Sequence, residues 1–138
     1  EFLPNEAEDI IIPTSGEGTH LKDEDDVDPQ NDFTVSERLD LALQMAETLA
    51  DLHGFKDGVL VHDDVQLGQY LFTPDGQLKL NDFNRAEAML YDENDGSYCL
   101  YKNGKGAGDY RAPEEYKDGR LNEKIDIWSL GNNIYALL

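Results

Sequence analysis

His62-Asp63-Asp64-Val65-Gln66-Leu67-Gly68-Gln69, then Tyr70-Leu71-Phe72, Thr73-Pro74-Asp75-Gly76, Gln77-Leu78-Lys79-Leu80 and finally Asp82-Phe83-Asn84 form the stretch on which the fold turns. Val59-Leu60-Val61 ahead of it reads as a short buried strand. The two apolar runs behind the loop read as strands joined by turn chemistry, because proline presets its own φ and the Asp-Gly pair accepts positive φ. A strand-turn-strand unit folds the chain back on itself. Asp64, entering the hairpin, and Asp82, just past its exit, are therefore expected to converge on one cleft. One carboxylate would orient a hydroxyl nucleophile and the other would hold a metal.

Outward from this unit, Thr34 and Glu37 form a capping-box pair, and Leu39, Ala42, Leu43, Ala46, Leu49 and Ala50 recur at three- and four-residue spacing. A helix is expected over about 35–53, stopped by Gly54. A second helix, about 123–138, is apolar on several faces through Ile125, Ile127, Trp128, Leu130, Ile134 and Leu137, as expected of a helix at the centre of a larger body. Between them, residues 84–111 dissolve into polar, tyrosine- and glycine-containing sequence without a strand or helix pattern. Gly104, Gly106 and Gly108 alternate, but match neither G-x-G-x-x-G nor G-x-x-x-x-G-K-[ST], so a flexible surface loop is expected there.

Of the 138 residues, 30 are acidic and 11 basic, a formal net charge of −19 that repels a nucleic-acid backbone and disfavours an anionic membrane. Residues 1–32 hold more than half of that excess, and the run Lys22-Asp23-Glu24-Asp25-Asp26-Val27-Asp28 argues for a solvated insertion. Its carboxylates lack the glycine and glutamate spacing of a calcium loop. The single cysteine, Cys99, forms no internal disulfide, which agrees with a reducing compartment. No apolar run is long enough to cross a bilayer, and the first residues lack the pattern of a signal peptide. With no initiator methionine and an uncapped apolar end, the chain is expected to be a piece of a longer protein.

The order of these segments resembles the protein kinase superfamily. His62 to Gln69 looks like the catalytic loop H-R-D-x-K-x-x-N, Asp82-Phe83-Asn84 like D-F-G, and Ala112-Pro113-Glu114 like A-P-E. Asp126-Ile127-Trp128-Ser129-Leu130-Gly131 looks like the start of the central helix of the large lobe. Any one of these is weak alone; four in order, with Leu52-His53 ahead of them, are specific. The resemblance implies an incomplete α+β kinase-like fold, mainly the helical large lobe with a short β-hairpin. It divides the chain into hinge (1–4), acidic insertion (5–33), helix (34–54), catalytic loop and hairpin (59–81), activation segment (82–114) and central helix (123–138).

The resemblance also implies roles. Asp64 would orient the acceptor hydroxyl and Asp82 would bind the magnesium that bridges the phosphates of ATP, with Gln69 as a further metal ligand. Glu1 and Leu3 would offer hinge backbone to the adenine edge, and Leu71 would lie beneath the ring. His62 and Phe83 would stack in a hydrophobic spine, and Asp126 would accept catalytic-loop N–H groups as a buried anchor.

Four positions depart from the pattern. Asp63 stands where an arginine is usual, so a phosphate on Tyr91, Ser97, Tyr98, Tyr101 or Tyr110 would lose its docking cation. Gln66 replaces the lysine that steadies the transferring phosphate. Gln69 adds a methylene to the usual asparagine, and Asn84 replaces a glycine while still tolerating left-handed angles. Lys105 and Arg111 could supply the lost charge, but read more simply as surface or substrate-loop charges. The parent is expected to transfer phosphate from ATP to a protein hydroxyl, on a basic substrate if charge decides, and on the cytosolic side. The alternative is a pseudokinase acting as scaffold or switch. The segment alone, without a small lobe, is expected to be inactive.

Overall fold

A computed structural model describes residues 33–56 and 58–138; the hinge-like Glu1 and Leu3 and nearly all of the acidic insertion lie outside the described residues. Helix α1 spans Val35–His53. Its capping box forms as the sequence requires: Thr34 N–H donates to Glu37 Oε2 (2.6 Å) and Glu37 N–H donates to Thr34 Oγ1 (3.3 Å). Gly54 closes it, its N–H donating to Ala50 O at 2.8 Å; a β-carbon there would press on that same carbonyl.

Strand β1 (Gly58–Val61) leads into the loop that starts at His62. Strands β2 (Tyr70–Phe72) and β3 (Leu78–Leu80) then form the expected hairpin, with Tyr70 opposite Leu80, and Gly76 takes φ 82 in the turn. Helix α2 spans Lys124–Leu137.

The stretch 84–111 is more regular than its composition suggests. Strand β4 (Glu87–Asp92) pairs antiparallel with β1, Val59 opposite Met89, and β5 (Ser97–Tyr98) adds to the far edge of β4. The physical reason is non-local. Only Met89 of β4 is buried, so no alternating pattern marks the strand, which forms because β1 offers it a hydrogen-bonding edge.

Two apolar clusters flank the loop from His62 to Gln66. In one, Leu41, Met45 and Leu49 of α1 meet Val65, Tyr70, Leu78 and Leu80 with Leu130 and Leu137 of α2; in the other, Val59, Val61 and Met89 meet Ala112, Leu121 and Ile125. Helix α2 contributes to both, so it fixes the loop between them. Its opposite side leaves Ile127, Trp128 and Tyr135 exposed, so the expected all-round burial is met on one face of the helix among the described residues. No helix among them is long and apolar enough to cross a membrane.

Leu49 is 1% exposed at the centre of the first cluster. In the intact protein, Leu49→Ala is expected to lower unfolding free energy by about 2–5 kcal/mol through lost burial and a residual cavity. Urea denaturation checks this, and a change below about 1 kcal/mol would mean that α1 is not seated as described.

Candidate active site

The loop from His62 to Gln66 is pinned by one buried carboxylate. Asp126, in the first turn of α2, accepts from the backbone N–H of His62 at 2.7 Å through Oδ2 and from that of Asp63 at 2.9 Å through Oδ1, while His53 Nε2 lies 3.0 Å from Oδ2. A carboxylate near a helix N-terminus also meets the favourable end of the helix dipole. Asn133, two turns on, donates Nδ2–H to Val65 O at 3.1 Å, so α2 grips the loop at both ends. His62 is fully buried; its Nε2 donates to Asn81 O at 2.9 Å and its ring meets Phe83 edge-on, centroids 4.9 Å apart.

Gln69 brings the two candidate chemical residues together: its Nε2 lies 3.3 Å from a carboxylate oxygen of Asp64 and 3.3 Å from one of Asp82. The hairpin thus returns the chain as its turn residues imply. Asp82 adopts φ 62, a left-handed angle that aspartate tolerates better than most residues, and Asp63 does the same at φ 60. Asn84 makes no use of its left-handed tolerance, because it sits inside the short 3-10 turn Phe83–Arg85 and the positive angle falls on Asp82.

This donor set suits magnesium, a hard cation that takes one or two carboxylates and leaves its other positions to phosphate and water. Asp82 would hold it, and Gln69 would join by turning its amide oxygen towards the ion. Among the described residues no three His, Cys, Asp or Glu side chains form a closed metal cage. Leu71 is half exposed on β2, and Gln66 Nε2 lies 3.5 Å from Asp64 Oδ2.

The acidic charge at Asp63 is answered from the stretch between Arg85 and Arg111. Its side chain is fully buried and accepts from Arg85 Nη2 (3.3 Å) and Asn103 Nδ2. Its carbonyl accepts from Arg85 Nε at 3.2 Å and Arg111 Nη1 at 2.9 Å. Burial raises the Asp63 carboxyl above the ordinary aspartate range, against the pull of Asn103, Arg85 and Arg111.

Arg111 is not the surface charge expected of it. It is buried, and its Nη2 meets Asp64 Oδ1 at 2.7 Å, while Nη1 donates to Glu115 Oε1 at 2.8 Å. Tyr110 donates its hydroxyl to the same Asp64 oxygen at 2.6 Å, and burial with that hydrogen bond pushes the phenol up to about 12. Ser129 Oγ and Asn132 Nδ2 of α2 donate to Tyr110 O at 3.0 and 3.1 Å, fixing this backbone on the same helix that holds His62 and Asp63.

The glycine loop is correspondingly less free than its composition suggests. A β-carbon on Gly106 would collide with Cδ and Nε of Arg111, and Gly108, at φ 107, lies against the Tyr110 ring. Of the Ala112-Pro113-Glu114 triplet, Ala112 is buried and Glu114 exposed. The neighbouring Glu115 is the anchor, accepting from Ala112 N–H at 2.7 Å and from Arg111.

The protein kinase domain family matches residues 8–138, and the chain belongs to that family. It is 28% identical over 137 residues, 99% of its length, to calmodulin-binding receptor-like cytoplasmic kinase 1 of Arabidopsis thaliana, of which that covers 29%. It is 36% identical over 104 residues, 71% of its length, to serine/threonine-protein kinase cds1 of Schizosaccharomyces pombe, and 32% identical over 95 residues, 69% of its length, to the probable serine/threonine-protein kinase nek2 of Dictyostelium discoideum; each match covers 21% of the relative. The chain therefore spans less than a third of the length of these relatives.

Replacing Arg85 isolates the reversed charge pair. Arg85→Met is expected to lower stability of the intact protein by about 1–3 kcal/mol by depriving a buried carboxylate of a partner. Asp63→Asn in that background should recover part of the loss. A double-mutant cycle by chemical denaturation checks both, and additive effects within about 0.3 kcal/mol would mean the two side chains do not interact.

Proposed function

We propose that the intact protein is a protein kinase that transfers the γ-phosphate of ATP to a protein hydroxyl. The observation that carries this reading is the position of Gln69, whose one amide nitrogen touches the carboxylates of both Asp64 and Asp82. The two groups that phosphoryl transfer needs are thus within one residue's reach of each other. Magnesium-bound ATP, when present, supplies the phosphoryl group and neutralises its charge.

Asp82 and Gln69 would hold that metal, Leu71 would lie under the adenine, and the backbone of Glu1 and Leu3 would meet the adenine edge. Asp64 would orient the acceptor and receive its proton as the acceptor oxygen takes the phosphoryl group and ADP leaves. The −19 net charge favours a basic protein substrate.

A second reading, a pseudokinase acting as scaffold or switch, is favoured by one observation. Asp64 already faces Tyr110, Arg111, Gln66 and Gln69, four donors for the roughly four lone-pair directions of a carboxylate. An acceptor hydroxyl must displace one of them. The test is phosphate transfer from labelled ATP by the full-length protein on basic protein substrates. Wild type is expected to turn over, with Asp64→Asn and Asp82→Asn each at least about 10²-fold slower. Transfer no faster than in those two variants would leave only the scaffold reading.

A further inference from the structure

We propose that Arg111 supplies to Asp64 the positive charge that the catalytic loop lacks at Gln66, making it a positioning residue for phosphate transfer; this rests on the phosphotransferase reading above. Gln66 reaches Asp64 only at 3.5 Å and brings no charge, whereas Arg111 reaches the same carboxylate at 2.7 Å from the other side. The guanidinium is permanently charged and its side chain is 6% exposed, so its field on Asp64 is little screened.

Its remaining bonds aim it. Nε donates to Ala107 O at 2.7 Å, and Nη1 donates to Asp63 O at 2.9 Å and Glu115 Oε1 at 2.8 Å. Four of the five N–H groups are thereby used, and the fifth is on Nη2, the nitrogen that holds Asp64. A charged, planar fork fixed at three points is held against the carboxylate and cannot swing away from it. Gly106 clears the path, since any side chain there would collide with Cδ and Nε of Arg111.

A purely structural clasp would use the contacts to Ala107, Asp63 and Glu115 and have no need of Asp64. The two roles separate in a kinetic and thermal comparison of the full-length protein carrying Arg111→Gln, Arg111→Lys, Gly106→Ala and the pair Arg111→Gln with Gln66→Lys. Melting temperature without nucleotide is read beside kcat and KM. Arg111→Gln is expected to lose at least about 10²-fold in kcat with KM for the protein substrate little changed.

Gln66→Lys in that background should restore at least tenfold of the kcat without restoring melting temperature, because it returns the charge and not the clasp. Arg111→Lys keeps charge and should retain more kcat than Arg111→Gln. Gly106→Ala, which presses on Cδ and Nε of Arg111 while leaving its charge in place, should lower kcat even if Arg111→Gln fails to fold. If kcat follows melting temperature in every variant and Gln66→Lys rescues nothing, or if a folded Gly106→Ala keeps full kcat, the assignment to Arg111 is wrong while the kinase reading stands. Absence of transfer by wild type itself would remove both.

Discussion

The loop from His62 to Gln66 has its shape because Asp126 is buried with partners for its lone pairs. Removing a carboxylate from water is costly unless its lone pairs are met, and here two backbone N–H groups and the His53 ring meet them. The same bonds satisfy the amides of His62 and Asp63 where the chain bends through a left-handed angle and can make no strand or helix bond. Everything downstream follows from that bend. It turns His62 inward onto Phe83 and Asn81, buries the Asp63 side chain beneath the activation segment, and leaves Asp64 facing Gln69 and Asp82.

A buried aspartate at position 63 then sets the second constraint. The loop and the segment 85–115 are held together by polar groups written into the chain, Asp63 against the charge of Arg85 and the amide of Asn103, with Arg111 bridging Asp63, Asp64 and Glu115. Three carboxylates and two guanidinium groups share one small volume, so removing any cation leaves a buried acid with fewer partners. A phosphate added beside this cluster would meet like charge at Asp63, which argues against ordering of the segment by phosphorylation at that point.

The parts legible in the sequence are those with local signals. Thr34 and Glu37 mark the start of α1, Gly54 its end, and Pro74 to Gly76 the hairpin, because each acts on backbone within four residues of itself. The order of motifs pointed to the family because each is a short local pattern that survives without its distant partners. What escaped depends on contacts distant in sequence: β4 takes its form from β1, and Arg111 is defined by the carboxylate of Asp64 and the backbone carbonyl of Asp63, 47 and 48 positions earlier. One signal was available. An acid in place of the loop arginine requires a cation nearby, and Arg85 stands directly after Asp82-Phe83-Asn84.

The central claim, that Asp126 holds the catalytic loop, is tested most directly by amide hydrogen exchange in the intact protein. The amides of His62 and Asp63 should exchange slowly in the wild type, and fast in Asp126→Ala, while those in the middle of α1 around Leu49 keep most of their protection. Unchanged protection of His62 and Asp63 in Asp126→Ala would contradict the account.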